Sequence, residues 1–167
     1  MVEEVLPLVP YRQLVFTIPR RLRKYFLFER SLYGDLCRSA YASTRDYLRQ
    51  EAPQAFPRLK KAVPAMIASP QSFGDLLVPH PHCHALVSLG LFSPDGVFCP
   101  MEDADFSGLE ALFRERLFKL MVQRGKISEE IAEDMRRWPH SGMCRHQCTP
   151  QSHRVFRWPS RYSPDLP

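Results

Sequence analysis

Histidine recurs at every second position in Pro79-His-Pro-His-Cys-His84, a pattern able to hold a metal ion. In an extended strand, side chains two apart leave the same face with Cβ atoms roughly 6.5 to 7 Å apart, so His82 and His84 can aim imidazole nitrogens at one cation. His80 has the same parity and is a third candidate. Pro79 and Pro81 bracket it, which is expected to put its backbone outside the ladder and to leave its direction open. Two histidines with one further acidic, amide or imidazole ligand leave coordination positions open for phosphate and water. The competing reading is two ordinary histidines, one solvated and one hydrogen-bonded. The apolar run that follows, Ala85-Leu-Val-Ser-Leu-Gly-Leu-Phe92, favours the site. It would hold the pair on a buried strand, where an unsatisfied imidazole costs free energy.

Other residues carry weaker signals. Arg20, Arg21, Arg23 and Lys24 are interleaved with Tyr25, Phe26 and Phe28, a mixture that grips phosphates and stacks on bases. The simpler alternative is a solvated basic face with its aromatics in the core. Cations at a helix start oppose the helix dipole, by roughly 0.3 to 1 kcal/mol, and a phosphate there would offset that. Cys144, His146, Cys148 and His153 are plausible zinc ligands by type, but their spacings match no standard finger. Gln71 and Asp75 precede the histidines closely enough to approach the same ion, although Asp75 after Gly74 is more simply a turn residue.

The elements that must position these residues follow from periodicity. Leu14, Phe16 and Ile18 alternate in Arg12-Gln-Leu-Val-Phe-Thr-Ile18 and stop at Pro19, which predicts a core strand. From Arg20 to about Glu51 the apolar residues take a helical stripe, which predicts one long helix with a kink at Gly34. Ala62 to Ser69 reads as a second strand in which Pro64 belongs at an edge or bulge. In the histidine strand Cys83, Ala85, Val87 and Leu89 share one face, and His82, His84, Leu86 and Ser88 the other. A turn at Ser93-Pro-Asp-Gly96 before Val97-Phe-Cys99 predicts a hairpin. Ser107 and Glu110 form a capping-box pattern ahead of Leu109, Leu112, Phe113, Leu117, Leu120 and Met121 at helical spacing. A further helix runs from Ser128 to about Trp138 and buries Ile131 and Met135. The result is an α+β domain, a small antiparallel sheet backed by helices, over residues 1–142. Residues 143–167, rich in proline and arginine and without apolar period, read as a disordered or out-of-frame tail.

The chain has 167 residues, 44% of them hydrophobic and 25% charged, with a net charge of +5 and an isoelectric point near 9.1. These values place it among globular proteins, and the basic balance suits a polyanion partner without requiring one. The start, Met1-Val-Glu-Glu-Val-Leu-Pro7, lacks the basic residues of a secretory signal. No stretch approaches the roughly 20 apolar residues of a membrane span. Five scattered cysteines suit reduced thiols. The expectation is a cytoplasmic protein near the nucleoid, with no membrane partner.

The centre of His82-Cys83-His84 is small and apolar, the HUH pattern, and the surrounding text resembles the two-tyrosine HUH transposases of rolling-circle insertion sequences, the insertion sequence 91 family. The resemblance runs from about Val9 to Gly142 through Val9-Pro-Tyr-Arg-Gln-Leu-Val-Phe-Thr-Ile-Pro19, Gln71-Ser-Phe-Gly-Asp75 and Pro81-His-Cys-His-Ala-Leu-Val87. It implies an HUH endonuclease-like sheet whose histidines hold Mg²⁺ or Mn²⁺. It also implies the single-stranded DNA of transposon ends as partner, and a tyrosine attack that leaves a 5′-phosphotyrosine. Two departures stand out. No Tyr-x-x-x-Tyr spacing follows His84, and Tyr162, the one tyrosine downstream, sits in a proline- and serine-rich run. The cysteine-rich segment that usually opens these proteins is also missing. The expectation is therefore a domain truncated at both ends, without a catalytic tyrosine and unable to nick DNA alone. The alternatives are a non-catalytic DNA-binding or interaction remnant without metal, and a small metal-dependent phosphodiesterase that uses water.

Overall fold

A computed structural model describes residues 8–56, 58–74, 78–101 and 103–138. Three strands, β1 (Tyr11–Thr17), β2 (Met66–Phe73) and β3 (Pro79–Ser88), form an antiparallel sheet in the order β1-β3-β2. The histidine strand is therefore central, with both backbone edges paired. This is the α+β architecture, a small antiparallel sheet backed by helices, that the periodicities predict.

One face of the sheet carries the core. Leu14 and Phe16 on β1, and Cys83, Ala85 and Val87 on β3, are buried. Against them lie α2 (Ser31–Glu51) and α3 (Leu109–Gln123). The Phe16 and Phe113 rings meet edge-on with centroids 4.9 Å apart, and the Cys37 sulfur of α2 lies 3.6 Å from that of Cys83. The stripe Leu32, Leu36, Ala40, Leu48 of α2 and the stripe Phe113, Leu117, Met121 of α3 are buried, the i, i+4 spacing of helices that present one face to a core. The two helices are also tied by Arg116, which donates to Asp46 at 2.6 Å, and by the Arg124–Asp35 ion pair at 2.5 Å.

The single long helix expected from Arg20 to Glu51 is broken. A 3-10 turn, Arg20–Leu22, leads into α1 (Arg23–Phe28). The chain becomes extended at Glu29 (φ −132°, ψ 97°) and restarts as α2. Leu22, Phe26, Leu32 and Leu36 are buried on both sides of the break, so the apolar period passes through it undisturbed. The break is stabilised by the Glu29 carboxylate, which accepts from the Ser31 hydroxyl at 2.9 Å and pairs with Lys126 at 2.5 Å. Gly34 lies inside the unbroken α2.

Three further expectations shift. The second strand begins at Met66, not Ala62, and runs through Pro70 to Phe73. Its place at the sheet edge explains why a residue with no N–H is tolerated there. Pro64 lies outside it, next to an isolated bridge between Val63 and Phe92. The Ser107–Glu110 capping box does not form. Asp105 accepts from the Ser107 backbone N–H and hydroxyl and starts a 3-10 turn, Phe106–Gly108, ahead of α3. In α4 (Glu129–Arg136), capped by Ser128, the buried residues are Ala132 and Met135, while Ile131 packs half-buried on the core.

The predicted hairpin is present as β4 (Gly90–Phe92) and β5 (Phe98–Pro100). Gly90 is required there. Its φ of 156° disfavours a side chain, and a Cβ would come within 2.1 Å of the Cys99 carbonyl oxygen. Among the described residues no helix is long and apolar enough to cross a membrane. The expected tail, with Cys144, His146, Cys148, His153 and Tyr162, lies outside the described residues, as does Asp75.

Candidate functional site

His82 and His84 leave the same face of β3, opposite the face that holds Cys83, and their rings converge. The centroids are 4.9 Å apart and the two Nε2 atoms lie 3.1 Å apart. Two nitrogens that each bind one octahedral divalent ion at ~2.1 Å, in adjacent positions, sit about 3.0 Å apart. The spacing of the two nitrogens is thus that of neighbouring ligands on one small cation.

His80 lies within β3 at an irregularity in the ladder: Gln71 pairs with His82 and Phe73 with Pro79, and the register shifts between them, as the flanking prolines lead one to expect. Its ring lies 5.2 Å, centroid to centroid, from that of His82, and its carbonyl oxygen accepts from His82 Nδ1 at 2.6 Å. The ring packs on the turn glycine, since a Cβ at Gly74 would meet His80 Nδ1 at 3.1 Å. The role visible for His80 is thus to orient His82 through its backbone.

The register supplies the surroundings. Thr17 and Gln71 lie directly across from His82, and Val15 and Ser69 directly across from His84, so these side chains share the histidine face. His82 is 7% exposed, whereas His84 is half-buried. Burial and the neighbouring His82 both lower the His84 pKa, which favours the neutral ring. Gln13, one residue pair further along β1, reaches His84 Nδ1 with its amide nitrogen at 3.2 Å. No histidine spacing could have found that contact, because it depends on the β1–β3 register. Among the described residues, no group of three or more His, Cys, Asp or Glu side chains is placed to hold a metal ion. Gln71 is the amide side chain that faces His82 across the ladder.

Cys83 points the other way. Burial, and the adjacent Cys37 thiol, push its pKa up to about 12, so it is a packed thiol and not a nucleophile.

The four cations of the basic cluster separate. Arg20, Arg23 and Lys24, with Leu27, line an open groove of about 500 Å³ whose other wall is Val78 and Pro79, at the start of β3. Arg21 turns away to pair with Asp134 at 2.9 Å and does not belong to the groove. The Arg23 pKa is lowered by burial and by Arg20, and its Nε is buried without a hydrogen-bond partner among the described residues. An anion in the groove would relieve both penalties. From Pro79 to His82 is three strand residues, about 10 Å, so groove and histidines lie within the span of a short oligonucleotide. Of the aromatics, Phe26 is buried edge-on against Tyr33 and Tyr25 lies beneath the Lys24 ammonium. Phe28, 89% exposed, has its ring open to a stacking partner.

In comparisons with known proteins, no family model, no curated protein and no solved structure matches this chain.

Proposed function

We propose that this chain is the cation-holding, single-stranded-DNA-binding part of a rolling-circle transposase of the HUH type. The observation that carries the reading is the convergence of His82 Nε2 and His84 Nε2 to 3.1 Å on the central strand. That spacing suits a shared proton or two neighbouring ligands on one cation. His82 and His84 would hold Mg²⁺ or Mn²⁺, with Gln71 the nearest amide candidate for a third position. When bound, the cation supplies charge that offsets the build-up on a phosphodiester's non-bridging oxygens. Arg20, Arg23 and Lys24 hold backbone phosphates beside it, and Phe28 offers a face for a base. The reaction of such enzymes is transesterification to a 5′-phosphotyrosine. No tyrosine is assigned that role here, because no Tyr-x-x-x-Tyr spacing follows His84.

A second reading is favoured by the absence, among the described residues, of a third acidic or imidazole ligand. In it the pair is a hydrogen-bonded device of the sheet, and the chain is a DNA-binding remnant without metal. One experiment separates the two. A labelled single-stranded oligonucleotide is titrated with protein, with and without Mn²⁺, and followed by fluorescence anisotropy. Under the first reading Mn²⁺ tightens binding and the His82→Ala, His84→Ala double variant loses that gain. Equal affinities with and without Mn²⁺ leave the remnant reading. A denaturing gel of the same mixtures is expected to show no covalent protein–DNA product, and strand cleavage without an adduct would favour a water-using phosphodiesterase.

A further inference from the structure

Three hydrogen bonds around the histidines are mutually consistent with one placement of the ring protons. A carbonyl oxygen can only accept, so the 2.6 Å contact to the His80 carbonyl places a proton on His82 Nδ1. A neutral His82 then has a lone pair on Nε2. The 3.1 Å contact between the two Nε2 atoms needs one proton between them, so it must be carried by His84 Nε2. His84 Nδ1 is left as an acceptor, and the group that meets it must donate. Gln13 does so, with its amide nitrogen 3.2 Å away.

This arrangement is self-consistent, and it is the wrong one for ligation at His84. His82 presents its lone pair at Nε2 as it stands, held there by a backbone carbonyl that cannot change role. His84 presents a proton.

We infer that Gln13 is the positioning residue that switches this site, its side-chain amide selecting which nitrogen of His84 carries the proton and so whether His84 can ligate. In the resting form the amide nitrogen donates to Nδ1 and the proton stays on Nε2, shared with His82. In the ligating form the amide turns over about its terminal torsion, its oxygen accepts from Nδ1–H, and Nε2 is freed. The balance is simple. One proton leaves His84 Nε2 for solvent water, one returns from solvent to His84 Nδ1, both rings stay neutral, and the freed Nε2 lone pair becomes available to a cation. No bond to carbon is made or broken. Gln13 suits the task because an amide carries a donor and an acceptor on one pivot, and because the side chain is exposed and free to turn. An outer-sphere partner of a ligating histidine typically accounts for 10- to 100-fold in metal affinity.

The inference rests on the cation reading above, and its test has a readout that does not need the cation. Ring nitrogen-15 spectra of the metal-free protein, taken where both histidines are neutral, distinguish a protonated from a lone-pair nitrogen at each position. Wild type is expected to show His84 protonated at Nε2. Gln13→Glu, whose carboxylate can only accept, is expected to move that proton to Nδ1, and Gln13→Leu to leave a mixture of the two forms. Mn²⁺ titration by calorimetry should then place Gln13→Glu about tenfold above wild type, in step with its population of the Nδ1-protonated form. A His84 tautomer that is the same in all three proteins overturns the inference. So does a metal affinity indifferent to residue 13 in proteins that do bind Mn²⁺. A tautomer that follows residue 13 in a chain that binds no Mn²⁺ supports Gln13 as the selecting residue and removes the cation reading alone.

Discussion

Single alanine substitutions at the two histidines should separate stability from cation binding. His82 is 7% exposed and makes two short contacts, to the His80 carbonyl and to His84. His82→Ala leaves a ring-sized void and removes both of these contacts, which together cost about 2 to 4 kcal/mol. His84 is half-buried, and its Nδ1 meets an exposed glutamine, so His84→Ala should cost less than ~1 kcal/mol. With a urea slope of about 2 kcal/mol/M for a domain of this size, the midpoint moves by about 1 to 2 M for the first variant and under ~0.5 M for the second. Cation affinity should behave differently. Each variant removes one of two protein ligands, so both should lose measurable Mn²⁺ binding. The assay is urea unfolding followed by circular dichroism, with Mn²⁺ calorimetry on the same preparations. Equal stability losses would refute the argument from burial. Undiminished Mn²⁺ affinity in either variant would refute the shared site.

Cys83 gives a prediction in alkali. Its folded pKa lies above the ordinary thiol value, so the unfolded chain releases the proton first. Stability is therefore complete below about pH 9 and falls as pH rises toward the folded value, by up to ~1.4 kcal/mol per unit; Cys83→Ala should lack that part of the decline in pH-dependent urea titrations. Gly90→Ala should be among the most damaging small substitutions, since its Cβ would overlap the Cys99 carbonyl and the Phe98 ring. A loss of more than ~3 kcal/mol by urea titration is expected, and a near-neutral result would mean the β4–β5 hairpin sits differently. For DNA, the Arg20→Ala, Arg23→Ala, Lys24→Ala triple variant should flatten the salt dependence of oligonucleotide binding by about 2 in log–log slope, at ~0.7 per phosphate contact. Arg21→Ala, whose side chain pairs with Asp134, should leave the slope unchanged.

The fold class was legible because its largest signals are periodic. The alternation of Leu14 and Phe16, and the helical stripes of Leu36, Ala40, Leu48 and of Phe113, Leu117, Met121, each mark a face buried against another element. What periodicity misses is decided by partners distant in sequence. The break at Glu29 leaves the apolar stripe intact and is sustained by Lys126, a residue on the far side of α3. The second strand slides four residues along because it pairs with the histidine strand, Ser69 against His84 and Gln71 against His82, while the more apolar Ala62–Ala65 stretch adds only an isolated bridge to Phe92. Asp105 and Ser107 are both competent to cap a helix, and tertiary placement chose between them. At the site, the spacing of His82 and His84 gave their common face, as two-residue parity must. The prolines at 79 and 81 marked a real irregularity, since the β2–β3 register shifts between Pro79 and His82, although His80 stays within β3. Gln13 was invisible for the same reason that β2 was misplaced: sequence carries no register.

The residue between the two histidines constrains them more than its size implies. Cys83 is wedged against Cys37 of α2 at the bottom of the sheet, so the pleat of β3 cannot rotate there without prying a 21-residue helix from its seat. The imidazoles inherit that rigidity. A bulkier side chain at this one inward position would tilt both rings together, so the helix on one face of the sheet sets the bite of the nitrogens on the other.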